Sequence, residues 1–252
     1  MELNKLVLGL LFASLLVFGC LEQPKQTTTT TVTLAPTYYP TITPTPTPTP
    51  TPKPVAGPGT IIVGISDALE QGAKLNASLV TSLVLSITRV EVHEANAGNE
   101  SGWHTIDATT QVIDLIQLQQ VMQLVANATI QSGKYNQIRL TLGRFPGIPA
   151  ATAVINGTPT VVKVPSKLLK ITGVIEVEGN RTSFMGLDFN VSESLHKLAN
   201  GDVILRPVIK IVAYKNAELE VDANKTIRLR GGDRTEDSVS EIDEQGERKK
   251  YE

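Results

Sequence analysis

The chain has 252 residues, of which 41 % are apolar, and a formal net charge of −2. These values are typical of one globular domain with appended segments, and they exclude a wholly disordered chain. A charge so close to zero provides no broad basic field, and no nucleic-acid-binding motif occurs. Nucleic acid is therefore not expected as a partner.

The N-terminal residues have the pattern of a secretory signal. Lys5 precedes an apolar run, Leu6–Phe18, which is shorter than the roughly 20 residues that span a bilayer. The segment Val17–Cys20 resembles a lipobox, in which the cysteine is lipidated and becomes the mature N-terminus. We expect a signal peptide over residues 1–19 and a lipid anchor at Cys20, on the extracellular face of the cell membrane. An uncleaved membrane anchor is the alternative, and it also places the rest of the chain outside the cytoplasm.

Cys20 is the only cysteine, so the mature chain can form no internal disulfide and has no cysteine for a zinc site or a nucleophile. Residues 20–57 are expected to form a stalk, because residues 27–54 consist mainly of Thr and Pro. Proline at every second position from Pro44 to Pro54 prevents a helix and favours an extended, semi-rigid spacer. At about 3.1 Å per residue, this spacer would measure on the order of 80–90 Å. The same composition is typical of O-glycosylated stalks.

The rest of the chain is rich in Asn-x-Ser/Thr sequons, the acceptor signal for N-linked glycans. Chance would place about 1.5 of the asparagines after residue 54 in such a signal. The sequence instead has sequons at Asn76, Asn99, Asn127, Asn156, Asn180, Asn190 and Asn224. This enrichment predicts a glycosylated surface protein, and such dense N-glycosylation favours an archaeal rather than a bacterial source.

Apolar residues then recur with a period of two, which predicts strands. The predicted strands are Thr60–Ser66, Leu83–Val92, Trp103–Ile106, Gln111–Leu115, Ile138–Leu142, Val161–Val164, Val174–Val177, Phe184–Val191 and Val203–Tyr214. In the second strand the alternation shifts by one residue between Ile87 and Val90, as a β-bulge requires. Residues 178–181 are typical of a hairpin turn, and Pro207 marks an edge or a bulge in the last strand. Tyr135 is expected to pack at a strand corner.

Only Leu118–Val125 has a helical pattern. Together these elements predict an all-β fold over residues 58–214, an antiparallel β-sandwich of about seven or more strands with one short helix. Residues 215–252 lose the apolar rhythm and contain 8 Lys/Arg and 11 Asp/Glu. We expect a charged, largely disordered C-terminal tail there, with a short hairpin near its start.

Eight segments of the predicted domain resemble, in order, the family called domain of unknown function 4382. They are GTIIVGISDA (59–68), LVLSITRVEVH (83–93), GWHTI (102–106), VIDLIQL (112–118), SGKYNQIRLTL (132–142), VKVPS (162–166), LDFNVSESL (187–195) and LRPVIKI (205–211). The resemblance implies a β-sandwich found in bacterial and archaeal surface proteins, often behind a lipobox, and it implies no established activity. Leu69 and Asn190 depart from the family pattern, which weakens the idea that acidic residues there bind a cation.

The candidate ligand-binding residues are few. Asp67, Asp114 and Asp188 each lie near a strand end, where they suit either a calcium site or turns that bond nearby amides. Trp103 suits either a sugar-stacking platform or the core. Beyond calcium no cofactor is expected, and no other metal site has ligand spacing.

The histidines, His93, His104 and His196, are expected to lie partly exposed at the surface. No nucleophile elbow and no phosphate-binding glycine loop occurs, so we do not expect an enzyme. The leading hypothesis is a non-enzymatic surface module that binds or scaffolds envelope components, with envelope glycans or surface proteins as partners. The alternatives are a carbohydrate- or calcium-binding domain and, third, a hydrolase with a site assembled from several loops.

Overall fold

The computed structural model describes residues 57–67, 79–98 and 100–242. Its strands are β1 (Gly59–Asp67), β2 (Val80–Glu94), β3 (Trp103–Asp107), β4 (Gln111–Asp114), β5 (Met122–Ile130), β6 (Gly133–Leu142), β7 (Ala151–Ile155), β8 (Thr158–Lys163), β9 (Leu168–Val177), β10 (Thr182–Phe189), β11 (Leu195–Lys197), β12 (Val203–Leu205), β13 (Val208–Val221) and β14 (Thr226–Glu241). A 3₁₀ turn, Leu115–Leu118, and one α-helical turn, α1 (Val191–Ser194), complete this part of the chain. The all-β prediction is confirmed.

The larger sheet is built around β2, whose 15 residues are long enough to take two neighbours on each edge. One edge pairs first with β7 and then with β6, and the other pairs with β4 and β3. Paired strands form a path β11-β12-β8-β7-β2-β6-β9 through this nine-stranded sheet, and β3 and β4 pair with β2 off that path. The register of β2 against β6 shifts between Ile87 and Arg89, which confirms the predicted bulge.

The smaller sheet has the order β1-β10-β13-β14-β5 and closes into a barrel. Its closing contact is short, because β14 pairs with β5 only at Thr226 and Ile227 within the described residues. Strands β1 and β10 are parallel, as are β8 and β12, so the sheets are mixed where the sequence predicted antiparallel pairing. The turn at residues 178–181 is not a hairpin, since β9 belongs to the larger sheet and β10 to the smaller one.

The main core fills the space between the two sheets. Ile61, Val63 and Ile65 of β1 are fully buried there and belong to the same core cluster as Leu83 and Ile138 of the larger sheet. Every second residue of β1 contributes to this core because side chains alternate between the two faces of a strand. Each fully buried aliphatic side chain of this kind contributes about 1.5–3 kcal/mol.

A second, smaller core lies on the other face of β1 and β10. Its buried members are Ile62, Phe184, Ala217 and Ile227, with Met122, Leu124, Tyr214 and Leu219 packed against them. Gly64 and Gly186 provide the room for Met122. A Cβ at Gly64 would lie 2.6 Å from the Met122 Cγ, and one at Gly186 would lie 3.1 Å from its Cε. The barrel therefore depends on two adjacent strands lacking side chains at this level.

The helix predicted over Leu118–Val125 is wrong, because this segment holds the end of the 3₁₀ turn and the start of β5. The side chains expected on one helical face lie in different environments. Leu118 and Val125 join the main core, Met122 packs against the smaller core, and Val121 is exposed.

Strand β5 also contains a bulge. Val63 pairs with Ala126 and Gly64 with Leu124, which leaves Val125 as an extra residue. Val125 and Ala126 consequently both join the main core.

The short hairpin predicted near the start of the C-terminal tail is present, and it is longer than expected, because its second strand continues through residues predicted to be disordered. Strand β13 continues to Val221 and pairs with β14 as far as Glu241. Few of these residues are buried, among them Ile227 and Ile242, and the charged residues occupy the exposed face. The alternation of apolar and polar residues is therefore too weak in this region to predict the full length of these strands. Residues 243–252 lie outside the described residues.

The long final strand predicted over Val203–Tyr214 is two strands, separated at Arg206 and Pro207. Strand β12 pairs with β8 and β11 in the larger sheet, whereas β13 pairs with β10 and β14 in the smaller one. Pro207 has no amide hydrogen to donate to a ladder. Pro207 lies where the chain passes from the larger sheet to the smaller one, and not at an edge or a bulge within a single strand.

Candidate functional site

The predicted acidic residues meet near the C-terminal end of β1. Asp67, the last residue of that strand, is 4 % exposed. Its Oδ1 accepts a hydrogen bond from the backbone N–H of Val191 at 3.2 Å, and its Oδ2 accepts one from Gln119 Nε2 at 3.4 Å. The Asp67 carboxyl thus links β1 to the start of α1 and to the residue after the 3₁₀ turn.

Burial raises the pKa of Asp67 to about 6. The Val191 and Gln119 hydrogen bonds oppose this rise, whereas the nearby carboxylates of Asp188 and Asp114 add to it. The structure therefore brings together the three acidic residues that the sequence singled out. The Asp67 carboxyl is therefore a buried group, at the end of β1, that changes its charge near neutral pH.

The other two carboxylates have structural partners of their own. Asp188 accepts a hydrogen bond from the Ser66 hydroxyl at 2.5 Å. The two residues are paired directly with each other in the parallel ladder of β1 and β10. Asp114 accepts the backbone N–H groups of Leu83 at 3.0 Å and Ile116 at 3.2 Å, and so caps the 3₁₀ turn. Within residues 57–67, 79–98 and 100–242, no three His, Cys, Asp or Glu side chains are arranged to hold a metal ion. The geometry favours a turn-forming and capping role for these carboxylates.

Asn190 belongs to the same end of the fold and caps α1. It is 7 % exposed, and its Oδ1 accepts the Glu193 backbone N–H at 3.0 Å and the Ser192 hydroxyl at 2.7 Å. Ser192 is the hydroxyl residue of the Asn190 sequon. The asparagine and the serine of this sequon are therefore buried and hydrogen-bonded to each other, which disfavours a glycan at Asn190.

Trp103 lies on the outer face of the larger sheet, where other side chains cover it. The guanidinium carbon of Arg139 is 4.1 Å from the centre of its ring, a cation–π contact. The His93 ring packs against it at 4.9 Å between centroids. Arg139 occupies a ring face that a sugar would need for stacking, so the arrangement favours a packing role for Trp103.

The same cluster buries two polar side chains that the sequence did not single out as buried. Glu91 is 6 % exposed and accepts a 2.8 Å hydrogen bond from Arg139 Nε, with Arg89 Nη1 3.9 Å away. His93 is 2 % exposed, so the expectation that it lies partly exposed is wrong. Its Nδ1 lies 3.1 Å from Asn136 Oδ1 and its Nε2 lies 3.0 Å from the Gly98 carbonyl. The segment after β2 covers this ring, and no local sequence signal shows that.

Tyr135 confirms the predicted strand-corner tyrosine. It is 2 % exposed, and its hydroxyl donates a 2.9 Å hydrogen bond to the Gln131 carbonyl, four residues upstream. Burial raises the pKa of its phenol, and the nearby Glu94 carboxylate adds to that rise. The His104 ring meets Tyr135 edge-on at 5.9 Å, and its Nε2 is 3.7 Å from Glu94.

The remaining sequons in the described residues lie at the surface. Asn127 is exposed on β5, and Asn156, Asn180 and Asn224 are exposed in the turns after β7, β9 and β13. Asn156 and Asn180 have φ angles of 51° and 56°, the left-handed conformation that asparagine adopts in turns. Asn76, Asn99 and Cys20 lie outside the described residues.

In the part of the chain that the structure describes, no helix has the length and apolar character needed to cross a membrane.

These features define an all-β domain of two mixed sheets, with a structural carboxylate cluster at one end and a buried polar–aromatic cluster on one face. The chain belongs to the family described as domain of unknown function (DUF4382), whose model matches residues 58–207, more than half of its length. Comparison with curated proteins and with solved structures yields no match.

The family match ends at Pro207, within the folded domain. Strands β13 and β14 follow it, yet β13 pairs with β10 over six residues and β14 closes the barrel. The structural unit therefore extends to Ile242, beyond the matched segment.

Proposed function

We propose that this protein is a lipid-anchored, N-glycosylated surface module that binds or scaffolds envelope components and catalyses no reaction. In this proposal the acyl chains on Cys20 hold it at the extracellular face of the cell membrane. The Thr/Pro-rich stalk then sets the distance between the membrane and the β-domain. Envelope glycans or surface proteins are its partners.

The observation that carries the proposal is the exposure of Asn127, Asn156, Asn180 and Asn224. An oligosaccharide must project into solvent, and three of these four asparagines lie in turns, where a bulky group disturbs no strand pairing. The fifth described sequon, at Asn190, is the one whose asparagine already caps a helix.

The side-chain arrangements support a binding or scaffolding role over a catalytic one. The three clustered carboxylates hold backbone amides or hydroxyls, and both ring nitrogens of the buried His93 have partners. General acid–base catalysis requires a group within reach of a substrate proton. These groups are instead used to stabilise the fold.

The test of anchoring is the location of the full-length protein in cells of its source. We expect the protein in the membrane fraction, extractable by detergent, with residues 1–19 removed. Intact mass measured after detergent extraction should show the added acyl chains. An extracted protein that retains residues 1–19 and has no acyl chains would contradict lipid anchoring and support the uncleaved membrane anchor instead.

Glycosylation is tested separately by mass spectrometry of peptides from the native protein. We expect glycan at Asn127, Asn156, Asn180 and Asn224 and an unmodified Asn190. The Asn190 peptide is the internal control, since it contains the same signal in a buried setting. Unmodified asparagines at all four exposed positions would refute the glycoprotein part of the proposal.

A further inference from the structure

The strand through which the chain enters the domain is paired on both of its edges. Eight residues of β1, from Thr60 to Asp67, pair in parallel with β10. Seven residues, from Gly59 to Ile65, pair with β5 on the other edge. Tension on residues that precede β1 therefore acts on two backbone ladders at once.

The entry point itself is held by the turn at residues 178–181. The N–H of Asn180 donates to the Pro58 carbonyl at 2.9 Å, and the N–H of Thr60 donates to the Arg181 carbonyl at 2.9 Å. Gly59 lies so close to this turn that a Cβ would be 2.1 Å from the Glu178 carbonyl oxygen. The first residues of β1 are thus fixed against the turn that begins β10.

The described chain leaves the domain at the opposite end of the same sheet. Asp67, at the end of β1, pairs with Phe189, which in turn pairs with Ile209 of β13. One residue away, Val208 pairs with Glu241 at the end of β14. The next residue, Ile242, is 2 % exposed and donates its N–H to the Pro207 carbonyl at 2.9 Å.

We propose that the smaller sheet is a force-bearing element, which resists tension between the N-terminal tether and the far end of the domain. This inference rests on the proposed function, because the tether is what delivers the tension. Force applied between Pro58 and Ile242 runs along the strands. The hydrogen bonds of the antiparallel β1–β5 ladder run across that direction, and those of the parallel β1–β10 ladder are slanted to it. All bonds of a ladder then share the load and must break together. Pulling β1 and β10 apart from their common end would instead break the same bonds one pair at a time.

The test is single-molecule force spectroscopy of the full chain with two attachment geometries. Cys20 is the only cysteine, so in protein produced without membrane export its thiol is one specific handle. A Glu252→Cys variant supplies the second handle for loading along the strands. An Arg181→Cys variant supplies it for peeling, because Arg181 is exposed and immediately precedes β10.

At equal loading rates we expect the unfolding force with the Glu252→Cys handle to exceed that with the Arg181→Cys handle by about twofold or more, since forced unfolding follows the barrier along the pulling direction. Equal forces, or a lower force for the Glu252→Cys handle, would overturn the inference. Denaturant unfolding of both variants checks that the handles leave stability unchanged, and Glu178→Cys, in the same turn but without a positive φ, replaces Arg181→Cys if the latter fails to fold. The measurement needs no lipid, so its failure is distinguishable from failure of the anchoring experiment.

Discussion

Asp67 and Val191 are 124 residues apart in sequence, yet the carboxyl of the first accepts the backbone N–H of the second at 3.2 Å. This bond joins the end of β1 to the start of α1. The carboxyl that makes it is buried and has neighbouring acidic residues, so the bond is made at an electrostatic cost.

The stability of the domain should therefore depend on pH through Asp67. Its pKa of about 6 in the folded state lies above the ordinary value of 3.8, so folding favours the protonated form. That contribution is fully present below about pH 4 and is lost as pH rises through about 6. The loss is on the order of 2–3 kcal/mol in the free energy of unfolding.

Asp67→Asn should remove this pH dependence while keeping an oxygen that accepts the Val191 N–H. Urea unfolding at pH 4 and pH 7 measures the difference for both proteins. Glu100→Gln, which alters an exposed carboxylate, is the matched control and should behave as the wild type does. A wild-type pH dependence that persists unchanged in Asp67→Asn would contradict this prediction.

Arg139→Ala should be strongly destabilising, because it leaves the buried Glu91 carboxylate without its 2.8 Å partner. We expect a loss of about 3 kcal/mol. It should also shift the emission of Trp103, the only tryptophan, to longer wavelength as its ring is uncovered. Chemical unfolding followed by tryptophan fluorescence measures both effects.

The control for that variant is Arg89→Ala. Arg89 is 53 % exposed and lies 3.9 Å from the same carboxylate, so its loss should cost less than about 1 kcal/mol. Equal costs for the two arginine variants would show that the guanidinium over Trp103 has no special role.

Gly64→Ala should destabilise the small core by about 1–3 kcal/mol, because the added Cβ would press on Met122 and Ile227. Gly133→Ala is the matched control, since no atom lies within 4 Å of the Cβ it would add. Thermal unfolding of both variants gives the comparison. A Gly64→Ala protein as stable as Gly133→Ala would show that Met122 can move away from the added Cβ without cost.

Calcium should leave the thermal midpoint of the protein unchanged, because the clustered carboxylates already hold backbone and side-chain donors. A ligand present at 100 times its dissociation constant would add about 2.7 kcal/mol. For a domain of this size that corresponds to a rise of roughly 5–10 °C. A rise of that order with calcium, absent with magnesium, would establish the calcium-binding alternative.

A rise with an envelope polysaccharide would be a different outcome, since it would identify a partner class for the proposed module. The same scan with a panel of such polysaccharides therefore tests the binding role itself. The Trp103→Phe variant is the control, because the covered ring is not expected to stack on a sugar. A polysaccharide-dependent rise that disappears in this variant would restore the stacking role.

Much of the strand content could be predicted from the sequence because alternation is a local property. Ile61, Val63 and Ile65 alternate in the printed sequence and are buried on one face in the structure. The β2 bulge and the Tyr135 corner were predictable for the same reason, since each depends on neighbouring residues alone. Family membership also followed from short segments in a fixed order.

Only the tertiary structure decided which strands pair and what covers each side chain. The parallel pairing of β1 with β10 joins positions 122 residues apart, as in the Ser66–Asp188 hydrogen bond, and no local pattern encodes it. The start of β5 was predicted as a helix, and the second strand of the β13–β14 hairpin was predicted to be mostly disordered, because few of its residues are buried. Burial of Asp67, Glu91 and His93 depends on segments distant in the chain or folded over them. Alternation specifies which face of a strand is apolar, but the partner of that face is chosen by packing across the whole domain.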